Sequence, residues 1–282
     1  MSAGLSIITT ICEKNRDANR AKIFEWEEHA KTLPQLDIPV KHTLHGEMYA
    51  REIVIPKGTV LTGSIYKFDH FDIMVSGDIT ISTDSEEPLR LKGFNFLNGI
   101  SGKKRAGFAH EETRWVTIHP YSGETGDSVQ EMITAESFED LEKFNVEVNN
   151  ADYINLLNEI GTNQEEVSAQ VNNLEDILNS DHDKNKSNTL EIKESTINGL
   201  GVFSLNTIAV DDVICCARHE GKRTQYGRYA NHAFFPNAKL VFSNGELLFV
   251  AKKQILSGEE VTVNYRDLLN TRFKEGDLSC QE

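Results

Sequence analysis

GRYANHAFFPNA, residues 227–238, sets an Asn-His pair, two phenylalanines and a Pro-Asn step within a dozen positions whose one full charge is Arg228. Read alone, the stretch is either a buried aromatic turn or the floor of a ligand site. Asn231 suits a turn-stabilising side chain, and His232 a hydrogen-bonded core histidine, as readily as ligand contacts. The flanking sequence decides. Upstream, NGLGVF (198–203) spaces two glycines where a backbone must either turn with positive φ or approach something closely. Downstream, Asn244-Gly245 within KLVFSNGELLFVA (239–251) is the dipeptide of a two-residue type I′ turn between β-rich runs, which predicts a hairpin. GEEVTVNY (258–265) then alternates, so Val261, Val263 and Tyr265 share one strand face while Thr262 and Asn264 share the other.

In this order and spacing, NGLGVF, RYANHAFFPN and GEEVTVNY resemble the motifs of the SET-domain protein methyltransferases, over about residues 189–270. The resemblance implies S-adenosyl-L-methionine as cofactor, with Gly199, Leu200 and Gly201 beside it. Asn231 and His232 would hold its adenine and amino-acid ends, largely through backbone groups, with Arg228 nearby. It implies methyl transfer to a protein lysine, with Tyr265 as the catalytic residue and Phe273 and Tyr226 as candidate walls of the substrate channel. On periodicity alone, Tyr265 would be a strand-end tyrosine closing a core, and Phe273 an anchor for the tail.

The residues suit that chemistry. Transfer from sulfonium to amine is an in-line displacement, so the protein must align a neutral nitrogen with the methyl and exclude water. A free lysine, with a pKa of ~10.4, is mostly protonated at neutral pH, and desolvation favours its neutral form. The resemblance implies that the tyrosine hydroxyl orients the amine and methyl while carbonyl oxygens contact the methyl hydrogens. Three departures stand out. Ala233-Phe234 replaces the Ser-Cys that commonly follows the Asn-His pair. Only 24 residues separate Phe203 from Arg228, which nearly removes one wall of the usual substrate groove. The cysteine-rich segment that often follows the core is missing, with Cys280 solitary.

Charge narrows the partners. The net charge is −15, and the segment from Glu124 to Asp183 carries all of it, with 16 acidic residues against Lys143. The remainder, with 28 acidic and 28 basic residues, is neutral. No basic stripe exists to neutralise phosphates, so nucleic acid is excluded as a partner and a basic protein substrate fits. No apolar run approaches the ~20 residues of a membrane helix, and MSAGLSIITTIC lacks the basic start and cleavage site of a signal peptide. Four cysteines without metal-ligand spacing point to a reducing compartment. A soluble, cytoplasmic chain is expected.

Residues 1–125 read as a short polar helix around NRAKIFEWEEHAK followed by many short strands, which predicts a β-sandwich or barrel. REIVIPKGTVLTGSIYKFDHFDIMVSGDITI (51–81) and AGFAHEETRW (106–115) resemble the two cupin motifs, with Tyr66 where the first histidine is expected. His70 and His110, with Asp69 and His119 as supplements, are the candidate metal ligands, since imidazole suits a first-row transition metal. Two histidines make a thin site, so a metal is not expected and a scaffold or oligomerisation module is the alternative. His42 and His45 sit in a polar stretch and read as surface.

Between these regions SFEDLEKF from Ser137 and TNQEEVSAQVNNLEDIL from Thr162 open like capping boxes, with Gly161 ending the helix between them. Val167, Val171, Leu174 and Leu178 line one face, either to cover a neighbouring domain or to dimerise. NSDHDKNKSN (179–188) reads as linker. The expected fold is α+β, mainly β: a cupin-like sandwich or barrel (1–125), an acidic helical connector (126–188), and a SET-like β fold with a C-terminal tail (189–282). This architecture resembles proteins encoded by tailed bacteriophages, which implies host cytoplasm and leaves a place in the virion open. The alternative to an enzyme is a non-catalytic interaction protein on a SET-like scaffold, with homodimerisation through the cupin-like domain or the connector.

Overall fold

The computed structural model describes residues 3–12, 16–83, 87–121, 128–171 and 189–267. The chain divides into two compact units, Met1–Phe144 and Asn145–Glu282.

The first unit begins with helices α1 (Ala3–Ile11) and α2 (Arg16–Ala30). Ten strands follow: β1 (Val40–His45), β2 (Met48–Ile55), β3 (Val60–Thr62), β4 (Ile65–Tyr66), β5 (His70–Ser76), β6 (Asp78–Ile81), β7 (Leu89–Lys92), β8 (Asn95–Gly99), β9 (Ala106–Ala109) and β10 (Thr113–Pro120). They form an antiparallel sheet in the order β1-β2-β10-β5-β8 and another in the order β3-β9-β6-β7, with β4 outside both. Ile53, Ile55 and Met74 from the first sheet share a core with Ile79, Ile81, Leu91 and Ala109 from the second. This is a two-layer sandwich, and among the described residues no strand pairing closes it into the barrel left open by the sequence.

Helix α1 was not legible. Its IITTI run is β-branched and reads strand-like, but Ile8 and Ile11 gain burial against Ile23 of α2 and Phe108 of β9, and tertiary burial overrides propensity. Short helix α3 (Ser128–Ile133) and strand β11 (Thr134–Ala135), which pairs with β4, lead into α4 (Phe138–Ile160). Ser137 caps α4 as expected: its Oγ accepts the Asp140 backbone N–H at 3.1 Å and donates to Asp140 Oδ2 at 2.6 Å. The boundary between the units falls inside α4, between Phe144 and Asn145.

In the second unit α5 (Gln164–Val171) starts one residue later than a Thr162 cap would place it. Asn163 is the cap, accepting Glu166 N–H at 3.0 Å, while Thr162 Oγ1 donates to Glu166 Oε2 at 2.6 Å. Leu174, Leu178 and the linker at 179–188 lie outside the described residues, as does the Val171 side chain. Next come β12 (Leu190–Glu194), β13 (Leu200–Ser204), β14 (Val213–His219), β15 (Lys222–Arg223), α6 (Gln225–Tyr229), β16 (Asn231–His232), β17 (Ala238–Ser243), β18 (Glu246–Ala251) and β19 (Glu260–Val263). The sheets run β12-β13-β19-β16 and β15-β14-β18-β17.

The hairpin forms as read: β17 and β18 pair from Ala238↔Ala251 to Ser243↔Glu246. Asn244 and Gly245 take φ of 52° and 79°, both positive as a type I′ turn demands. Val261 and Val263 enter a core built with Val202, Phe249 and Ile255. Thr262, on the opposite strand face, is buried as well. Its N–H donates to Asn237 Oδ1 at 2.8 Å, and Asn237 Nδ2 donates to the Glu260 carbonyl at 2.7 Å. The Pro-Asn end of the opening motif is therefore a latch onto β19.

Candidate functional site

Strand β16 runs parallel to β19, pairing Asn231 with Thr262 and His232 with Val263. That pairing brings the Asn-His pair beside the strand that ends in Tyr265. Asn231 is buried, and its Nδ2 points to the carbonyls of Asn198 and Leu200, each at 3.1 Å, and to Glu260 Oε1 at 2.8 Å. One amide thus ties the glycine loop to β19, which leaves backbone groups rather than this side chain for a ligand.

The two glycines differ. Gly199 has a φ of +50° with open space where a side chain would go. At Gly201 a Cβ would stand 2.2 Å from Glu260 Oε1. The close approach that requires glycine at 201 is to this carboxylate, which also accepts Ser195 Oγ–H at 2.8 and 2.9 Å.

His232 holds the site together. Its Nδ1 accepts the Tyr265 backbone N–H at 3.2 Å, so the proton resides on Nε2, which donates to Asp152 Oδ2 at 2.9 Å. Burial pushes the imidazole below its ordinary range even though Asp152 opposes the shift, so the ring is neutral at pH 7. Asp152 in turn accepts two bonds from Arg266 Nη1, at 2.8 and 2.7 Å. Arg266 also donates to Glu159 from Nε at 3.0 Å and from Nη2 at 3.1 Å, and these bonds hold the guanidinium above its usual range.

Tyr265 donates its hydroxyl to the Ala230 carbonyl at 3.0 Å. Burial pushes the phenol well above its ordinary range, so it stays protonated. The Tyr153 ring meets it edge-on with centroids 6.3 Å apart, and His232 lies tilted at 5.2 Å. Asp152, Tyr153, Glu159 and Arg266 were missed by the sequence reading. Asp152 and Glu159 are seven residues apart, two helical turns, and a base follows Tyr265 directly, but in so acidic a helix nothing local distinguishes these two carboxylates from solvated neighbours.

Arg228 has buried Nε and Nη1 atoms without a hydrogen-bond partner among the described residues, and its guanidinium lies 5.4 Å from the Tyr229 ring. Tyr226 is 2% exposed, within the core of the second unit. Phe273 and Cys280 lie outside the described residues. Phe234 and Phe235 meet edge-to-face at 4.6 Å but are 43% and 38% exposed, so the aromatic half of the opening motif is not buried. The Phe234 N–H donates to Asn149 Oδ1 of α4 at 2.9 Å.

In the first unit His70 and His110 do not meet as a ligand pair. The His110 ring hydrogen-bonds Thr80 Oγ1 at 2.7 Å on β6, whereas His70 stacks on His119 at 4.6 Å in the other sheet. The Asp69 carboxylate accepts the Ser101 N–H at 2.8 Å. His42 and His45 are exposed, as read, and the His42 Nδ1 meets Tyr49 Oη at 2.6 Å. No group of three or more His, Cys, Asp or Glu side chains that could hold a metal occurs among the described residues. Among those residues no helix is long and apolar enough to cross a membrane.

No curated protein matches the chain. Among solved structures, a cupin superfamily protein from Desulfitobacterium hafniense is 12% identical, over 33% of this chain and 87% of that one, at a TM-score of 0.27. An RmlC-like cupin family protein from Methanocaldococcus jannaschii is 19% identical, over 30% of this chain and 82% of that one, at 0.26. A Plasmodium falciparum protein provisionally described as a histone methyltransferase is 22% identical, over 27% of this chain and 92% of that one, at 0.24. The SET-domain family model matches residues 7–266, far more of the chain than the motifs from about residue 189 mark out. Matched over that length, the chain belongs to the SET-domain family.

Proposed function

We propose that this protein is a protein-lysine N-methyltransferase using S-adenosyl-L-methionine, with Tyr265 as the residue in contact with the accepting amine. Family membership supports a methyltransferase function in general. The finer reading is carried by one observation, the Asn231–His232–Tyr265 cluster: Asn231 ties down the glycine loop and His232 ties down Tyr265.

The residues present fit the cofactor that the family implies. Arg228 offers buried guanidinium nitrogens with no protein acceptor among the described residues, suited to a carboxylate, and the open space at Gly199 admits a neighbour. Gly199, Leu200, Gly201, Arg228, Asn231 and His232 would hold it. When bound, S-adenosyl-L-methionine supplies a methyl group on a sulfonium. Tyr265 commits its proton to the Ala230 carbonyl, so its oxygen lone pairs are left to accept an N–H of the lysine and aim the nitrogen. Tyr153 and the neutral His232 ring cover Tyr265 and exclude water, and desolvation there favours the uncharged amine.

The substrate in this reading is a basic protein, drawn by the acidic segment from Glu124 to Asp183. The first unit serves as a cupin-like scaffold or dimerisation module, in an architecture of phage type. The alternative, a non-catalytic interaction protein, draws support from the exposed Phe234-Phe235 pair beside the site. Calorimetry with S-adenosyl-L-methionine separates the two. The wild type should bind with a saturable heat that Arg228→Met weakens, whereas no heat with a folded wild type contradicts the enzyme.

A further inference from the structure

We infer that the interior of the first unit is a binding site for a small organic carboxylate. A cavity of about 270 Å³ opens between the two sheets. The period of two turns Arg51, Ile53 and Ile55 of β2 inward together, and likewise His70 and Asp72 of β5 and Trp115 and Thr117 of β10. Part of the wall is therefore apolar, with Leu61 and Ile79 completing it.

The charged part is unbalanced. Arg51 and Arg105 line the cavity with a single acid, Asp72. Asp72 is already satisfied: Arg105 Nη1 donates to Oδ2 at 2.7 Å and Trp115 Nε1 to Oδ1 at 3.1 Å. Burial pushes the Asp72 carboxyl up, but His70, Arg105 and Trp115 more than offset it, so it stays ionised and taken. Arg51 has no ion pair among the described residues, and its Nε is buried without an acceptor. A guanidinium N–H withdrawn from water and left unpaired is costly, and an anion with two oxygens matches the planar fork of a half-buried arginine. The same cations make the cavity hostile to a metal ion. A carboxylate on an apolar body would set its oxygens on Arg51 and its body against Ile53, Ile79 and Trp115. This site is independent of the methyltransferase reading.

The test is calorimetry on the full chain with benzoate and hexanoate, against benzamide, hexanamide and inorganic phosphate. Saturable binding of at least one carboxylate, stronger than its amide, is expected. Arg51→Met should weaken it about tenfold or more, Arg51→Lys should weaken it less, and Leu61→Phe should weaken it by filling the cavity, each judged on protein with unchanged circular dichroism. The proposal is overturned if neither carboxylate saturates below ~10 mM, if acid and amide bind alike, if phosphate binds more tightly than both acids, or if folded Arg51→Met and Leu61→Phe proteins bind as the wild type does.

Discussion

Asp152 Oδ2 lies 2.9 Å from His232 Nε2, and through the opposite nitrogen of that ring the helix residue governs the backbone of Tyr265. A side chain from the acidic middle of the chain thereby sets the position of the residue proposed to face the substrate. It acts by positioning and touches no reacting atom.

Asp152→Ala should destabilise the second unit by about 3 kcal/mol, because it strips Arg266 and the His232 N–H of their shared acceptor at once. Asp152→Asn keeps an acceptor for His232 and should lose less. Urea unfolding of the three proteins measures this, and equal midpoints would show that the contact bears no load.

Tyr265→Phe removes the hydroxyl while keeping the ring that packs against Tyr153 and His232. Methyl transfer should fall by about 100-fold with cofactor affinity nearly unchanged. A parallel loss of affinity would mean that the ring environment, and not the hydroxyl, had been altered.

Alanine at the two glycines should separate them. Gly199→Ala meets open space and bears only the strain of a φ of +50°, about 1 kcal/mol. Gly201→Ala collides with the Glu260 carboxylate that Ser195 and Asn231 hold, and should cost about 2–3 kcal/mol. Thermal midpoints in the order wild type, Gly199→Ala, Gly201→Ala are expected.

His119 is fully buried, and burial, with the neighbouring His70, pushes it down from 6.5 to about 3. The unfolded chain takes up this proton below about pH 6.5 and the folded chain does not until about 3, so stability falls as pH drops through that window, by about 1.4 kcal/mol per unit. Between pH 7.5 and 5 the wild type should lose about 2 kcal/mol more than His119→Phe. Identical losses would assign the acid sensitivity to other groups.

The legible parts of the molecule were those fixed locally. Asn244-Gly245 dictates its turn, Ser137 its cap, and the alternation in β19 its core face. The three motifs marked Asn231, His232 and Tyr265 through their order. What failed was tertiary. No local pattern reveals that Asp152 reaches across 80 positions to His232, or that Glu260 occupies the approach at Gly201. The pairing of His70 with His119 in place of His110 follows from which strands share a sheet, and residue types alone do not encode that.

The most direct test supplies labelled S-adenosyl-L-methionine and a lysine-rich basic protein to the wild type and to Tyr265→Phe, and locates the label by mass spectrometry. The account predicts methyl groups on lysine Nζ from the wild type and about 100-fold fewer from the variant. Folded wild type that binds the cofactor yet labels no lysine, or a variant that labels as well as the wild type, would contradict it.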